Sequence, residues 1–271
     1  MKKRLITAGV GLIVFIPFVI FSNTFLWEIF AAILSVAGTF ELLRALKVIN
    51  KPEISVPSLI YSALTPLFFG THARSLLDGA LLFVCLTLFL SMIIKRRVAP
   101  ERVCFALIFV VYVTCAFASL VTVRRVAWGS HIFFVIFVGA WITDTAAYFT
   151  GKALGKHPLC PEVSPHKTVE GAVGGLVGGI VGVMLYGLGV ELLTPEHVNF
   201  LAMFFIGAVS GAVSQFGDLL FSAIKRRVGV KDFSDLLPGH GGILDRFDSV
   251  MAVSLFVAFI VTRVSIISGA V

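Results

Sequence analysis

Four polar residues in the C-terminal half of the chain follow one another at helical spacing. Asp218 is followed by Ser222, Lys225 and Arg226, which on one helix would share a face with it. Carboxylates bind hard divalent cations, while Lys and Arg pair with phosphate oxygens. The pattern therefore predicts a metal ion next to bound phosphate, provided that the helix continues past Asp218. A basic helix end that orients a membrane protein would explain Lys225 and Arg226 alone.

A second polar stretch, residues 231–249, leads directly into an apolar run. Its acids Asp245 and Asp248 are three positions apart, so on a helix they share a face. Gly-rich backbone ahead of a helix exposes N–H groups to an anion. The candidate phosphate contacts of this stretch are Lys231, His240 and Arg246, with the backbone of residues 239–242, including Gly241 and Gly242, assisting. Acids at a helix start also favour the helix dipole, which explains either acid alone but not the whole set.

One more acid, Asp144, lies inside an apolar run, where a carboxylate costs roughly 2.5 to 3.5 kcal/mol on insertion scales. Acids within membrane segments are functional by default, and an interfacial helix-end acid is the alternative. The polar loop that follows contains Ser164 and Lys167, which supply a hydroxyl and a cation for phosphate. Glu28 and Glu41, near the ends of an N-terminal apolar run, are predicted to be interfacial acids.

The elements that must position these residues are membrane helices. Of the 271 residues, 58% are hydrophobic and 14% charged, whereas soluble domains carry about a quarter charged residues. Mean hydropathy is +1.00, which excludes an ordinary soluble globule. The net charge of +7 does not indicate nucleic acid, because the Lys and Arg residues cluster in short turns between apolar segments.

Apolar runs long enough to cross a bilayer recur along the whole chain. They predict an all-α integral membrane protein with about nine transmembrane helices, approximately at residues 5–22, 25–40, 54–70, 77–94, 103–122, 131–150, 171–190, 199–219 and 250–268. Recurring glycines in the seventh run favour close helix packing.

The distribution of positive charge predicts a cytoplasmic N-terminus. In that orientation only Arg74, Arg124, Arg125 and Arg263, of 22 Lys and Arg residues, lie on the outer side. The segment 123–131 is the least determined part of this topology. We divide the chain into N-terminal transmembrane helices, 1–130, and a catalytic transmembrane region with cytoplasmic loops, 131–271, because the clustered acids lie in the second part.

The polar segments resemble the signature of the CDP-diacylglycerol synthases (phosphatidate cytidylyltransferases). The resemblance rests on residues 222–226, Lys231-Asp232 and 240–248, and upstream on 144–148 and 164–171. It covers roughly residues 140–255, while the N-terminal half matches only as apolar spans. His166 and Val169 depart from the expected pattern.

The resemblance implies a magnesium-dependent transfer of the cytidylyl group of CTP to phosphatidic acid, giving CDP-diacylglycerol and pyrophosphate for phospholipid biosynthesis. It implies a multi-pass protein of the cytoplasmic (inner) membrane whose active site faces the cytoplasm, and it leaves a second cation and a homodimer open. Asp218 and Asp245 are then metal ligands, Asp144 is a further metal-site acid, Asp248 is a supporting acid and Lys225 is a catalytic cation. The predicted substrate contacts are Ser164, Lys167, Ser222, Arg226, Lys231, Asp232, His240, Gly241, Gly242 and Arg246.

Two other functions are compatible with the same residues. A CTP-dependent kinase of a long-chain isoprenoid alcohol would need similar groups but would release CDP instead of pyrophosphate. An ion-coupled transporter would also contain intramembrane acids, but those usually lie near mid-membrane and in repeated halves. Here they cluster in one half of the chain.

Overall fold

The computed structural model describes residues 16–17, 21, 24–68, 74–95, 99–237, 239, 241–264 and 266–269. Helices account for most of these residues. They are α1 Phe25–Ala45, α2 Pro52–Phe68, α3 Arg74–Lys95, α4 Pro100–Arg125, α5 Gly129–Leu154, α6 Val169–Leu193, α7 Phe200–Val228 and α8 Ile243–Val261.

Two short antiparallel strand pairs accompany the helices. Strand β1, Pro158–Cys160, pairs with β2, Ser164–Thr168, and β3, Glu196–Val198, pairs with β4, Ile267–Gly269. The all-α prediction missed these strands because segments of three to five residues are too short to show a reliable two-residue alternation.

Eight of the nine predicted apolar runs overlap a helix in the structure. The first run, 5–22, lies almost entirely outside the described residues, and each of the other eight matches one helix. Among the described residues, α1, α4, α5, α6 and α7 are long and apolar enough to cross a membrane. The protein is therefore a mainly helical, multi-pass membrane protein, while the count of nine and the orientation stay predictions.

The last predicted run, 250–268, has different limits in the structure. Helix α8 begins at Ile243 and ends at Val261, and β4 follows after a turn. The helix starts earlier than predicted because its first two turns, residues 243–249, mix charged and apolar residues. Hydropathy alone does not detect such a start.

The chain forms two compact units. The first consists of the described parts of Met1–Thr122 and Arg227–Arg246, and the second of Val123–Arg226 and Phe247–Val271. In the first unit α1 packs on α2 and α2 on α3. Its core includes Trp27, Leu42, Ile54 and Phe117, which are almost completely buried. The functional division at residue 130 stays a prediction.

Glycines bring the helices of the second unit close together. A Cβ at Gly175 of α6 would lie 2.9 Å from the Ala147 Cβ on α5, and one at Gly207 of α7 would lie 2.8 Å from the Ile180 Cα on α6. Small residues allow helix backbones to approach in this way. The predicted packing role of the seventh-run glycines is confirmed, and it places polar residues of α5, α6 and α7 around one cavity.

Candidate active site

The second unit contains a polar cavity of about 470 Å³. Two carboxylates, Asp144 and Asp218, and two cations, Lys152 and Lys167, belong to its wall. The remaining lining residues are Ala147, Tyr148, Gly151, Leu159, His166, Thr168, Gly171, Ala172 and Gln215. The fold thus brings together residues from α5, strands β1 and β2, α6 and α7.

Asp218 is held in place by two side chains. Helix α7 continues past Asp218 to Val228, so Asp218, Ser222, Lys225 and Arg226 all lie on one helix, as predicted. The Asp218 Oδ2 pairs with the Lys167 Nζ at 2.5 Å, and the Ser222 hydroxyl donates to Oδ1 at 3.3 Å. The two charged side chains remain 31% and 26% exposed, respectively. A carboxylate that is oriented but still accessible suits the binding of a cation.

Asp144 and Asp248 belong to the same charge cluster as Asp218. The Ser214 hydroxyl of α7 donates to the Asp144 Oδ1 at 3.2 Å. Helix α8 approaches α7 closely, since a Cβ at Gly217 would lie 2.8 Å from the Asp248 carbonyl oxygen. The three carboxylates interact electrostatically with one another. Their mutual repulsion favours a compensating cation at this position.

Two lysines also act on this cluster. Lys167 interacts electrostatically with Asp144, and Lys225 interacts with Asp248. Both lysines belong to the second unit. The structure therefore combines three of the predicted acids with two of the predicted cations.

Lys167 owes its position to the junction between β2 and α6. The next residue, Thr168, caps α6, its side chain accepting from the Gly171 N–H at 3.1 Å. Glu170 in the first helical turn accepts from the His157 N–H at 3.2 Å and lies 2.6 Å from the His157 Nδ1. These contacts fix the strand pair at the helix start, so Lys167 enters the cavity from a defined backbone position.

Two other predicted phosphate contacts lie beside this loop. Ser164 begins β2 and pairs in register with Cys160. The Arg226 Nε donates to the Val163 carbonyl oxygen at 3.3 Å, and its side chain is exposed. Neither residue is among those lining the cavity.

The polar stretch before α8 belongs to the first unit up to Arg246. The Asp245 Oδ2 accepts from the backbone N–H groups of Phe233, at 2.8 Å, and Gly242, at 2.9 Å. Asp245 therefore has a structural function, and its metal-binding function stays a prediction. Lys231, Asp232 and Arg246 are exposed, and His240 lies outside the described residues.

A carboxylate that the sequence interpretation assigned to the interface contacts this stretch directly. Glu41 of α1 is only 3% exposed. Its oxygens accept from the N–H groups of Ile243, at 2.9 Å, and Leu244, at 3.0 Å, and from the Ser234 hydroxyl at 2.6 Å. Its signal in the sequence is an acid directly after the apolar run 25–40, whereas Asp144 lies within its run.

The glycines before α8 have structural reasons to be glycine. Gly239 and Gly241 have φ angles of 79° and 83°, which L side chains rarely adopt. A Cβ at Gly242 would collide with the Glu41 carboxylate. The predicted substrate contacts of Gly241 and Gly242 stay predictions.

The donor set of the cavity fits Mg²⁺. Asp144 and Asp218 supply hard oxygen ligands, and Asp248 places a third carboxyl group nearby. Within the described part of the chain, no three or more His, Cys, Asp or Glu side chains form a ready metal cluster. Mg²⁺ typically needs only one or two carboxylates, because substrate phosphates and waters complete its shell.

The sequence matches the cytidylyltransferase family over residues 2–264. The chain belongs to this family. It is 36% identical to the phosphatidate cytidylyltransferase of Bacillus subtilis (strain 168), with 98% of this chain and 99% of the relative covered. The proteins of that name from Staphylococcus haemolyticus and Staphylococcus aureus (strain COL) are 34% and 36% identical, each with 93% of this chain and 96% of the relative covered. The predicted family membership, and with it an enzyme of the nucleotidyltransferase class, is confirmed.

The cavity of this cytidylyltransferase-family protein also contains residues that the sequence interpretation did not select. Gln215 of α7 donates through its Nε2 to the carbonyl oxygens of Gly211, at 2.9 Å, and Ala172, at 3.1 Å. It lies three positions before Asp218 and so on the same helix face. Tyr148 follows Asp144 by four positions on α5, and the same spacing argument would have found it.

Proposed function

We propose that this protein transfers the cytidylyl group of CTP to phosphatidic acid, releasing pyrophosphate and forming CDP-diacylglycerol. The observation that carries the proposal is the cavity where Asp144, Asp218 and Lys167 meet. Carboxylates and lysines within one cavity suit a triphosphate that binds together with a divalent cation. The names of the relatives add the lipid substrate and the cytidylyl group.

The proposed reaction needs no protein nucleophile. An oxygen of the phosphatidate phosphate attacks the α-phosphorus of CTP, and the bond from that phosphorus to the oxygen bridging to the β-phosphate breaks. Pyrophosphate leaves with the bonding electron pair. A phosphate monoester is already an anion near neutral pH, so it needs no strong general base. The protein acts mainly by positioning the two substrates and by neutralising their charge.

The lysines supply fixed positive charge in this scheme. Lys167, whose ammonium group contacts Asp218, is placed to exchange that contact for a phosphate oxygen. Lys225 balances Asp248 and is the second candidate for a phosphate contact. Ser222 keeps the Asp218 carboxylate oriented through its hydroxyl.

Asp218 and Asp144 are the residues that would hold Mg²⁺, with Asp248 as a supporting acid. When bound, the ion spreads the negative charge of the triphosphate and of the leaving pyrophosphate. Asp245 stays a predicted ligand, and a second cation stays open.

The protein is further proposed to lie in the cytoplasmic membrane with the cavity open to the cytoplasm. There, soluble CTP and a bilayer lipid can meet at one site. Cys160 lies in the predicted cytoplasmic loop and provides a native probe, once Cys85, Cys104 and Cys115 are replaced by serine. An impermeant thiol reagent should label Cys160 only in inverted vesicles or opened cells, and labelling in intact cells would contradict this orientation.

Product analysis tests the reaction itself. Purified protein is incubated with Mg²⁺, CTP labelled at the α- or γ-phosphate, and either phosphatidic acid or a long-chain isoprenoid alcohol. The α-label should appear in the lipid and the γ-label in pyrophosphate, in equal amounts and only when phosphatidic acid is present. Transfer of the γ-label to a long-chain isoprenoid alcohol, with release of CDP, would replace the proposal by the kinase interpretation.

A further inference from the structure

Glu41 is a buried carboxylate that the proposed reaction does not use. It lies on α1 and reaches three donors at the start of α8 and in the segment before it, all within the first unit. We propose that Glu41 is a positioning residue that fixes the described residues of the loop 233–242, which carries three of the six predicted substrate contacts of this unit, His240, Gly241 and Gly242. The catalytic part of this inference rests on the proposed function.

The start of α8 needs a partner because the first N–H groups of a helix have no acceptor within the helix. A side chain at the N-cap usually provides one, but the residue before Ile243 is Gly242, which has no side chain. Glu41 supplies both oxygens to Ile243 and Leu244 from about 200 positions away. Its negative charge at a helix N-terminus is also electrostatically favourable.

Two carboxylates connect the two ends of the loop through hydrogen bonds. Asp245 binds the N–H groups of Phe233 and Gly242, and Glu41 binds the side chain of Ser234 together with the helix start. Between these points the Leu237 N–H donates to the Gly241 carbonyl oxygen at 2.9 Å. The position of the loop is thus determined largely by where Glu41 lies on α1.

Glu41 also changes the interpretation of the glycine-rich segment. The N–H groups of Ile243 and Leu244, which directly follow the glycines predicted to contact phosphate, already donate to Glu41. Gly242 is small because the Glu41 carboxylate occupies the space that a Cβ would need. Its φ angle lies outside the left-handed region, so this space, and not the backbone conformation, excludes a side chain.

This geometry predicts that positions 41 and 242 are energetically coupled. Gly242→Ala is measured in the native background and in the Glu41→Ala background, with thermal unfolding in detergent and with kcat and KM for cytidylyl transfer. The substitution should reduce kcat at least about fivefold more when Glu41 is present, as expected for contacting residues. Gly241→Ala is the matched control, because its backbone strain should cost the same in both backgrounds.

The isosteric variant Glu41→Gln separates positioning from stability alone. An amide keeps the size of the side chain but offers one oxygen to three donors, so the loop should lose its fixed position. We expect folded Glu41→Gln protein, assayed well below its unfolding temperature, to show about tenfold lower kcat with little change in the KM for CTP.

Two results would overturn the inference. One is an equal effect of Gly242→Ala with and without Glu41, and the other is native kcat in folded Glu41→Gln protein. If the unmodified protein has no cytidylyltransferase activity, the proposed function fails. The coupling measured by thermal unfolding then still tests whether Glu41 holds the loop.

Discussion

Replacing Asp218 by asparagine should separate activity from stability. The carboxylate pairs with Lys167 at 2.5 Å and accepts from Ser222 at 3.3 Å. At an effective dielectric constant of about 20 the gross attraction of the ion pair is about 7 kcal/mol. Both side chains stay partly exposed, so desolvation and side-chain entropy offset most of it, and the net contribution is about 1 kcal/mol or less.

The expected effect on turnover is much larger. Asparagine keeps the size of the side chain but removes the charge that a hard cation requires. Changes to residues that only support a metal ligand typically cost about 10- to 100-fold, so loss of a direct ligand should exceed about 100-fold. The unfolding temperature should fall by only a few degrees, about 2–4 °C per kcal/mol for a chain of this size class.

The assay measures CDP-diacylglycerol formation against Mg²⁺ concentration, with thermal unfolding in the same detergent. Glu162→Gln is the matched control, because Glu162 is an exposed acid in the loop between β1 and β2. It should leave both measurements unchanged. Turnover of Asp218→Asn within a few-fold of the native rate at ordinary Mg²⁺ would remove Asp218 from the metal site and refute the reasoning.

Three further experiments test other parts of the site and of the helix packing around it. Lys167→Met should raise the KM for CTP about 10- to 100-fold at saturating Mg²⁺, because a charged hydrogen bond to phosphate is lost, and an unchanged KM would exclude that contact. Asp144→Asn should reduce turnover more than about 100-fold, whereas Ser214→Ala, which removes only its hydrogen-bond donor, should cost about tenfold or less; the reverse order in steady-state rates would contradict the assignment. Gly175→Leu should lower the unfolding temperature strongly because α5 and α6 are in contact there, while Gly189→Leu, at a position with nothing within 4 Å, should leave it unchanged.

Local spacing along the chain was enough to predict much of this protein. Hydropathy located eight of the helices that the structure describes, because the length of an apolar run is a direct property of the sequence. The helical spacing from Asp218 to Ser222 predicted a contact that the structure contains. The segments 222–248 pointed to the right family, since their residue types and order can be read without a structure.

Contacts between distant segments needed the tertiary structure. No spacing rule relates Lys167 to Asp218, because their ion pair depends on how β2 and α7 are placed by the packing of α5, α6 and α7. The same holds for Glu41, whose sequence neighbourhood indicates only an acid near a helix end. Its donors lie some 200 positions later, and they meet it because α1 and residues 227–246 fold into one unit.

The glycines show the same division most clearly. Their presence before α8 is evident from the sequence, and it suggested an anion site on general grounds. The structure requires glycine at these positions for different reasons: Gly241 has a left-handed backbone, whereas Gly242 leaves room for Glu41. The sequence determined which residue stands at each position. The packing of α1 against the start of α8 decided which backbone N–H groups face the Glu41 carboxylate. Because these N–H groups are buried, they have no water to bind and donate to the carboxylate instead.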